Sequence, residues 1–206
     1  MTLLRRGVLA VVFALALAGC ERTTRVVVDT TVPAATVDAI PLTVGVVYDD
    51  ALVAHVYEEN SEDRPNWRIQ TGESQKAMFR RVFRDLFANV EEVAGASEAA
   101  GYDAVLTPSI VAMQFATPEE TRLEFYEAWV KYALDIRRPD GERLGRWVFT
   151  AYGKSPAGFF TGNADGIGAA VEQALRAAGA KVITRFREVP EIAEWLAREG
   201  VANAQP

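Results

Sequence analysis

Between Met78 and Val90 apolar residues recur at three- and four-residue steps: Met78, Phe79, Val82, Phe83, Leu86, Phe87 and Val90. Lys76, Arg80, Arg81, Arg84 and Asp85 fill the other side, so the spacing predicts an amphipathic helix over about 72–90. Thr71 is placed to cap it, and Glu73 falls near the positive end of its dipole. The period then drops to two. Tyr126, Ala128, Val130, Tyr132, Leu134 and Ile136 alternate with Glu127, Trp129, Lys131, Ala133, Asp135 and Arg137, as in a half-buried strand. Arg138-Pro139-Asp140-Gly141 is a turn, because proline presets its first corner and glycine accepts the left-handed position after it. Leu144 to Gly153 returns as the partner strand, which predicts a β-hairpin over about 123–153.

Other segments complete the pattern. Leu42 to Tyr48 is a β-branched run bounded by Pro41 and Asp49-Asp50, as expected for a strand buried on both faces. Asp103 to Phe115 is an apolar extended run interrupted by Pro108. Ile167, Ala170, Val171, Ala174, Leu175, Ala178, Val182, Ile183 and Phe186 form one stripe of a second long helix over about 165–187, with Asp165 available as its cap. A short terminal helix starts at Pro190, carries Ile192, Trp195 and Leu196 on one side, and stops at Gly200. The expected fold is α+β: one mixed or largely antiparallel sheet with the hairpin, two main helices and a short C-terminal helix.

The hairpin register follows from its loop. A three-residue Pro-Asp-Gly loop with a glycine bulge sets Arg138 opposite Glu142, Ile136 opposite Leu144 and Ala133 opposite Trp147. A two-residue Asp-Gly loop would set Leu134 opposite Trp147 but would ask Pro139 for an N–H it lacks. The first register is preferred. It gathers Trp129, Trp147 and Phe149 on the face opposite Tyr132 and Leu134, either beneath a helix or as a contact surface. With Trp195 of the terminal helix, these residues are the candidate partner surface.

The amino-terminal pattern is of another kind. Arg5 and Arg6 precede an apolar run from Val8 to Leu17, too short to span a bilayer, and Ala18-Gly19 are the small residues a signal peptidase requires. Residues 1–19 read as a signal peptide. Residues 20–40, rich in Thr, Val and Ala, read as a tether reaching about 65 Å extended or about 25 Å as a coil. The Val26-Val27-Val28 triplet is open to the alternative of an edge strand. Residues 41–200 form one domain and 201–206 a frayed tail.

The chain carries 22 basic and 28 acidic residues, and loss of Arg5 and Arg6 with the signal moves the balance from −6 to −8. That argues against nucleic acid as a partner, which rewards basic patches. His55 is the single histidine, so no histidine-pair metal site is available. In an extended segment it reads as a surface or hydrogen-bonded core residue. Gly166-x-Gly168 lacks the remaining spacing and the lysine of a phosphate loop and reads as a helix start. The acidic pairs Asp49-Asp50, Glu58-Glu59, Glu91-Glu92 and Glu119-Glu120 lie in loops or at element ends, where solvation explains them. No catalytic residue, cofactor site or metal site is expected, and the chain is not expected to be an enzyme.

Leu17-Ala18-Gly19-Cys20 resembles the lipobox of bacterial lipoproteins. The resemblance implies cleavage before Cys20, acylation of that cysteine, and attachment to a membrane through its acyl chains. Glu21, where an aspartate would favour the inner membrane, implies the periplasmic face of the outer membrane. The element order, with Pro41 to Tyr48, Phe79 to Phe87 and Tyr132 to Tyr152, resembles transport-auxiliary lipoproteins, the TolB amino-terminal domain and the CsgG and PelC groups. Trp67 to Gly72, ahead of the phenylalanine-rich helix, resembles a stretch of other proteobacterial lipoproteins. These resemblances imply a location and a fold and supply no activity; the function expected is that of a non-catalytic scaffold or accessory subunit of an envelope transport or assembly complex, with an envelope protein partner or a homo-oligomer. The alternative is a periplasmic binding module for a lipid or other apolar ligand.

Overall fold

In a computed structural model, the structure describes residues 23–28, 34–60, 65–95, 98, 100–159 and 162–201. Eight strands are formed among them: β1 (Thr23–Val27), β2 (Ile40–Val46), β3 (Val56–Glu59), β4 (Asn66–Gln70), β5 (Phe87–Glu92), β6 (Ala104–Ala116), β7 (Phe125–Arg137) and β8 (Arg143–Pro156). The helices are α1 (Asp50–Val53), α2 (Gly72–Leu86), α3 (Pro118–Thr121), α4 (Asn163–Arg185) and α5 (Pro190–Arg198), with a 3-10 turn at Phe186–Glu188.

The strands do not form one sheet. A three-stranded sheet has the order β1-β4-β3 and a five-stranded sheet the order β5-β2-β6-β7-β8. Both are mixed: β1 runs parallel to β4 and β3 antiparallel to it, while β5, β2 and β6 are parallel and β6, β7 and β8 antiparallel. The single-sheet expectation with two main helices is thus corrected to two sheets and five helices. Its error begins in the supposed tether, where Thr23 to Val27 pair with Asn66 to Gln70 and Val26 and Val28 are buried. Two further contacts fasten the end of β1: Val28 N–H donates to the Gln70 carbonyl at 3.2 Å, and the Ser74 hydroxyl donates to the Val28 carbonyl. For these residues the edge-strand alternative is the structure adopted.

One face of the large sheet builds the core. Val44, Val46, Leu106, Val130, Tyr132, Leu134 and Ile136 lie buried with Met78, Phe79, Val82 and Phe83 of α2 and Ile167, Val171, Ala174, Leu175 and Val182 of α4. Phe79 meets the Tyr132 ring edge-on at 5.1 Å, and Phe87 meets Phe186 at 5.4 Å. Trp67 and Tyr57 of the small sheet close on Phe115 at 5.1 and 5.6 Å, which joins the two sheets at the end of β6. Gly153 permits the approach of α4, since a Cβ there would overlap the Ala170 carbonyl and the Ala174 amide. Pro108 does not interrupt β6. It lies just beyond Leu106, the last β6 residue paired with β2, where one flank of the strand no longer needs a donor.

The hairpin register combines the two loop geometries. At the tip Arg138 N–H donates to the Glu142 carbonyl at 2.8 Å and Arg137 pairs with Arg143, as the three-residue loop requires. The register then shifts between Ile136 and Arg137, leaving Leu144 unpaired, so that Leu134 faces Trp147 and Tyr132 faces Phe149. One bulged residue transfers Trp147 and Phe149 to the core side and leaves Trp129 on the other.

Candidate functional site

Cys20 lies outside the described residues. The four candidate aromatics do not share a surface. Trp195 is fully buried and Phe149 nearly so, whereas Trp129 and Trp147 are half-buried on opposite faces of the sheet. Trp129 tilts against Tyr152 at 5.3 Å, and the Tyr152 hydroxyl donates to Glu127 at 2.5 Å, a bond that pushes that phenol up to about 12. Trp147 tilts against Phe149 at 4.4 Å. The aromatic trio expected on one face is therefore divided, because the bulge at Leu144 reverses the parity of β8 from Gly145 onward.

Trp147 instead forms part of a groove between β8 and the helical layer. Arg146, Trp147, Val148 and Phe149 line one wall, and Lys181, Arg185 and residues 188–191 the other, around a volume of about 590 Å³. Trp147 and Phe149 make the floor apolar, while Lys181, Arg185 and Arg146 share the rim with Glu188 and Glu191. The Lys181 ammonium donates to the Thr150 carbonyl at 2.8 Å; the Arg185 guanidinium pairs with Glu188; Arg146 lies 3.5 Å from Asp135. Sequence reading found Trp147 and Phe149 but missed Lys181 and Arg185, which belong to the exposed flank of α4 and become neighbours of β8 only through packing.

The remaining sequence candidates have structural roles. His55 is half-buried with Nδ1 2.7 Å from the Thr71 hydroxyl, and burial lowers its pKa. Gln75 Nε2 donates to the same hydroxyl at 2.7 Å, so Thr71 occupies the N-cap position of α2 without its side chain capping the helix. Gly166 of the short glycine motif packs on Tyr126, whose ring a Cβ would penetrate, and its carbonyl accepts from the Ser155 hydroxyl at 2.7 Å. Gly162, not Asp165, is the N-cap of α4. Among the described residues no cluster of histidine, cysteine and carboxylate side chains has the makings of a metal site, and no helix is long and apolar enough to cross a membrane.

No protein-family model matches the chain, and no curated protein matches it. Solved structures do. Protein XCC0632 from Xanthomonas campestris, of family DUF330, superposes with a TM-score of 0.55 at 11% identity over 83% of this chain and 98% of its own. That likeness shows the fold. A minor lipoprotein from Acinetobacter baumannii gives 0.44 at 9% identity over 82% of this chain and 100% of its own. The PelC dodecamer from Paraburkholderia phytofirmans gives 0.34 at 14% over 72% and 94%.

Proposed function

We propose that this chain is a lipid-anchored envelope lipoprotein without catalytic activity, acting as a scaffold or accessory subunit of an envelope transport or assembly complex. Acyl chains on Cys20 would hold it on the periplasmic face of the outer membrane. The carrying observation is the amino-terminal order of Arg5-Arg6, the apolar run to Leu17, and Ala18-Gly19-Cys20. Two acyl signals already give stable attachment. A folded body with an open sheet edge and a half-exposed Trp147 beside it suits a contact role. The anchor is tested by incorporation of radiolabelled palmitate into the mature product and by Cys20→Ser. Unlabelled wild type, or a serine variant still processed and sedimenting with membranes, would refute it. The partner role is tested by pull-down from solubilised envelopes, in which Trp147→Ala should lose partners that Trp129→Ala keeps.

The groove supports a second reading, a binding module for a lipid or other apolar ligand, because its aromatic floor and the Lys181 ammonium at its rim match an apolar chain carrying an anionic head. Native mass spectrometry of the detergent-solubilised protein should then show a co-purified mass that Trp147→Ala loses.

A further inference from the structure

We propose that the free edge of β8 is a docking strand, to which an extended acidic segment of a partner protein adds as a sixth strand along the Trp147 groove. The proposal names the partner chemistry of the accessory-subunit reading and does not depend on acylation of Cys20. β8 is 14 residues long and, among the described residues, ends the large sheet. Three contacts fix which of its backbone groups point outward. At the tip Arg138 bonds Glu142, and at the base Ala157 N–H donates to the Glu124 carbonyl at 3.0 Å, so even residues of β7 and odd residues of β8 exchange the ladder bonds. The Lys181 ammonium reaches the Thr150 carbonyl from α4, which places that even-numbered carbonyl on the open side. The N–H and C=O groups of Arg146, Val148, Thr150, Tyr152 and Lys154 thus line the edge, between the bulge at Leu144 and Pro156, which has no N–H to offer.

The surroundings select the occupant. The side chains of those five residues are exposed, Val148 by 45% and Tyr152 by 40%. The groove puts an apolar floor and the flank of α4 beside the edge, so an added strand would be covered on its inner side. Glu188 is engaged by Arg185, whereas the bonded partner of the exposed Lys181 ammonium is a backbone carbonyl. A carboxylate arriving on the inner side finds that ammonium available, with Glu191 the remaining acidic group at the rim. A second copy of the chain fits poorly. Antiparallel self-pairing through all five residues would set Arg146 of one copy against Lys154 of the other, and like charges directly opposite destabilise a ladder. Strand addition of this kind takes affinity from main-chain hydrogen bonds and specificity from alternate side chains.

The test uses the full-length protein in detergent micelles and an acetylated, amidated decapeptide alternating valine and glutamate, with a valine–lysine decapeptide as control. Fluorescence anisotropy should show salt-sensitive binding of the glutamate peptide only, and hydrogen exchange should slow at the amides of Val148, Thr150 and Tyr152. Lys181→Glu and Val148→Pro should each weaken binding by roughly tenfold, the first by charge reversal and the second by deleting an outward N–H. Both sites are exposed, and an unchanged melting curve would establish that each variant folds. Absence of binding by the wild type, equal binding of the lysine peptide, or undiminished binding by Val148→Pro would overturn strand addition. Self-association of Lys181→Glu with no peptide binding by the wild type would do so as well, leaving Lys181 as a guard of the edge.

Discussion

Two polar groups in the core work against it. The Tyr132 hydroxyl and the Trp195 indole nitrogen are buried with no hydrogen-bond partner among the described residues, and burial pushes the Tyr132 phenol well up. Leaving a buried donor unsatisfied costs about 1–3 kcal/mol. Tyr132→Phe keeps the ring against Phe79 and removes the stranded oxygen, so it is expected to stabilise the protein by about 1 kcal/mol in urea denaturation. A lower midpoint would mean that the hydroxyl has a partner. His55 gives the pH dependence. Its folded pKa is lowered by burial, so the unfolded chain takes the proton more readily. The associated stability is complete above the unfolded value of about 6.5 and falls as pH drops below it. Between pH 7.5 and 5.5 the wild type should lose melting temperature, and His55→Gln should lose less. The residue type at Thr71 was legible as a helix-start signal. Its engagement by His55 was not, because that contact exists only once β3 pairs with β4 and sets Val56 opposite Gln70.

Among the elements, those with a local period were readable and those set by long-range pairing were not. The stripe from Met78 to Leu86 and the alternation from Tyr126 to Ile136 each lie within one element, so burial in the structure follows the pattern in the chain. The face of Trp147 depends on a single bulged residue, and nothing in the alternation of β8 marks Leu144 as the one left over. A one-residue slip inverts every side chain beyond it, which is how a sound reading of the turn led to the wrong aromatic face. Glycine spacing carried information of another sort. Gly153 admits α4 to the sheet at a separation no Cβ allows, so Gly153→Ala is expected to destabilise by about 1–3 kcal/mol through forced helix displacement. Gly158, with open space around its Cβ position among the described residues, is the control and should change stability little. Equal denaturation midpoints for the two variants would show that α4 moves freely.

At the scale of the whole molecule, β1 decides how the body stands relative to its proposed anchor. Its partner β4 follows some forty residues later, and a Thr- and Val-rich segment without aromatics gives no local sign of that pairing. Once it forms, Cys20 and Thr23 are separated by three peptide steps, a reach of about 11 Å. The tether of about 65 Å expected from composition would be cut to that length, and on the proposed anchor the small sheet would sit against the lipid headgroups. Val26 and Val28 hold β1 in place from buried positions. Val26→Asp/Val28→Asp would strand two carboxylates there, and expelling β1 is the cheaper response than unfolding α2 and the large sheet. The next fixed point is then Ala35, whose N–H donates to Asp85 at 2.9 Å, which gives a free segment of about 50 Å at full extension. Neutron reflectometry on supported bilayers carrying the acylated protein should find wild type flush with the headgroups and the double variant behind a hydrated gap. A gap already present in wild type would mean that β1 does not hold its pairing at a membrane surface, whatever the state of Cys20.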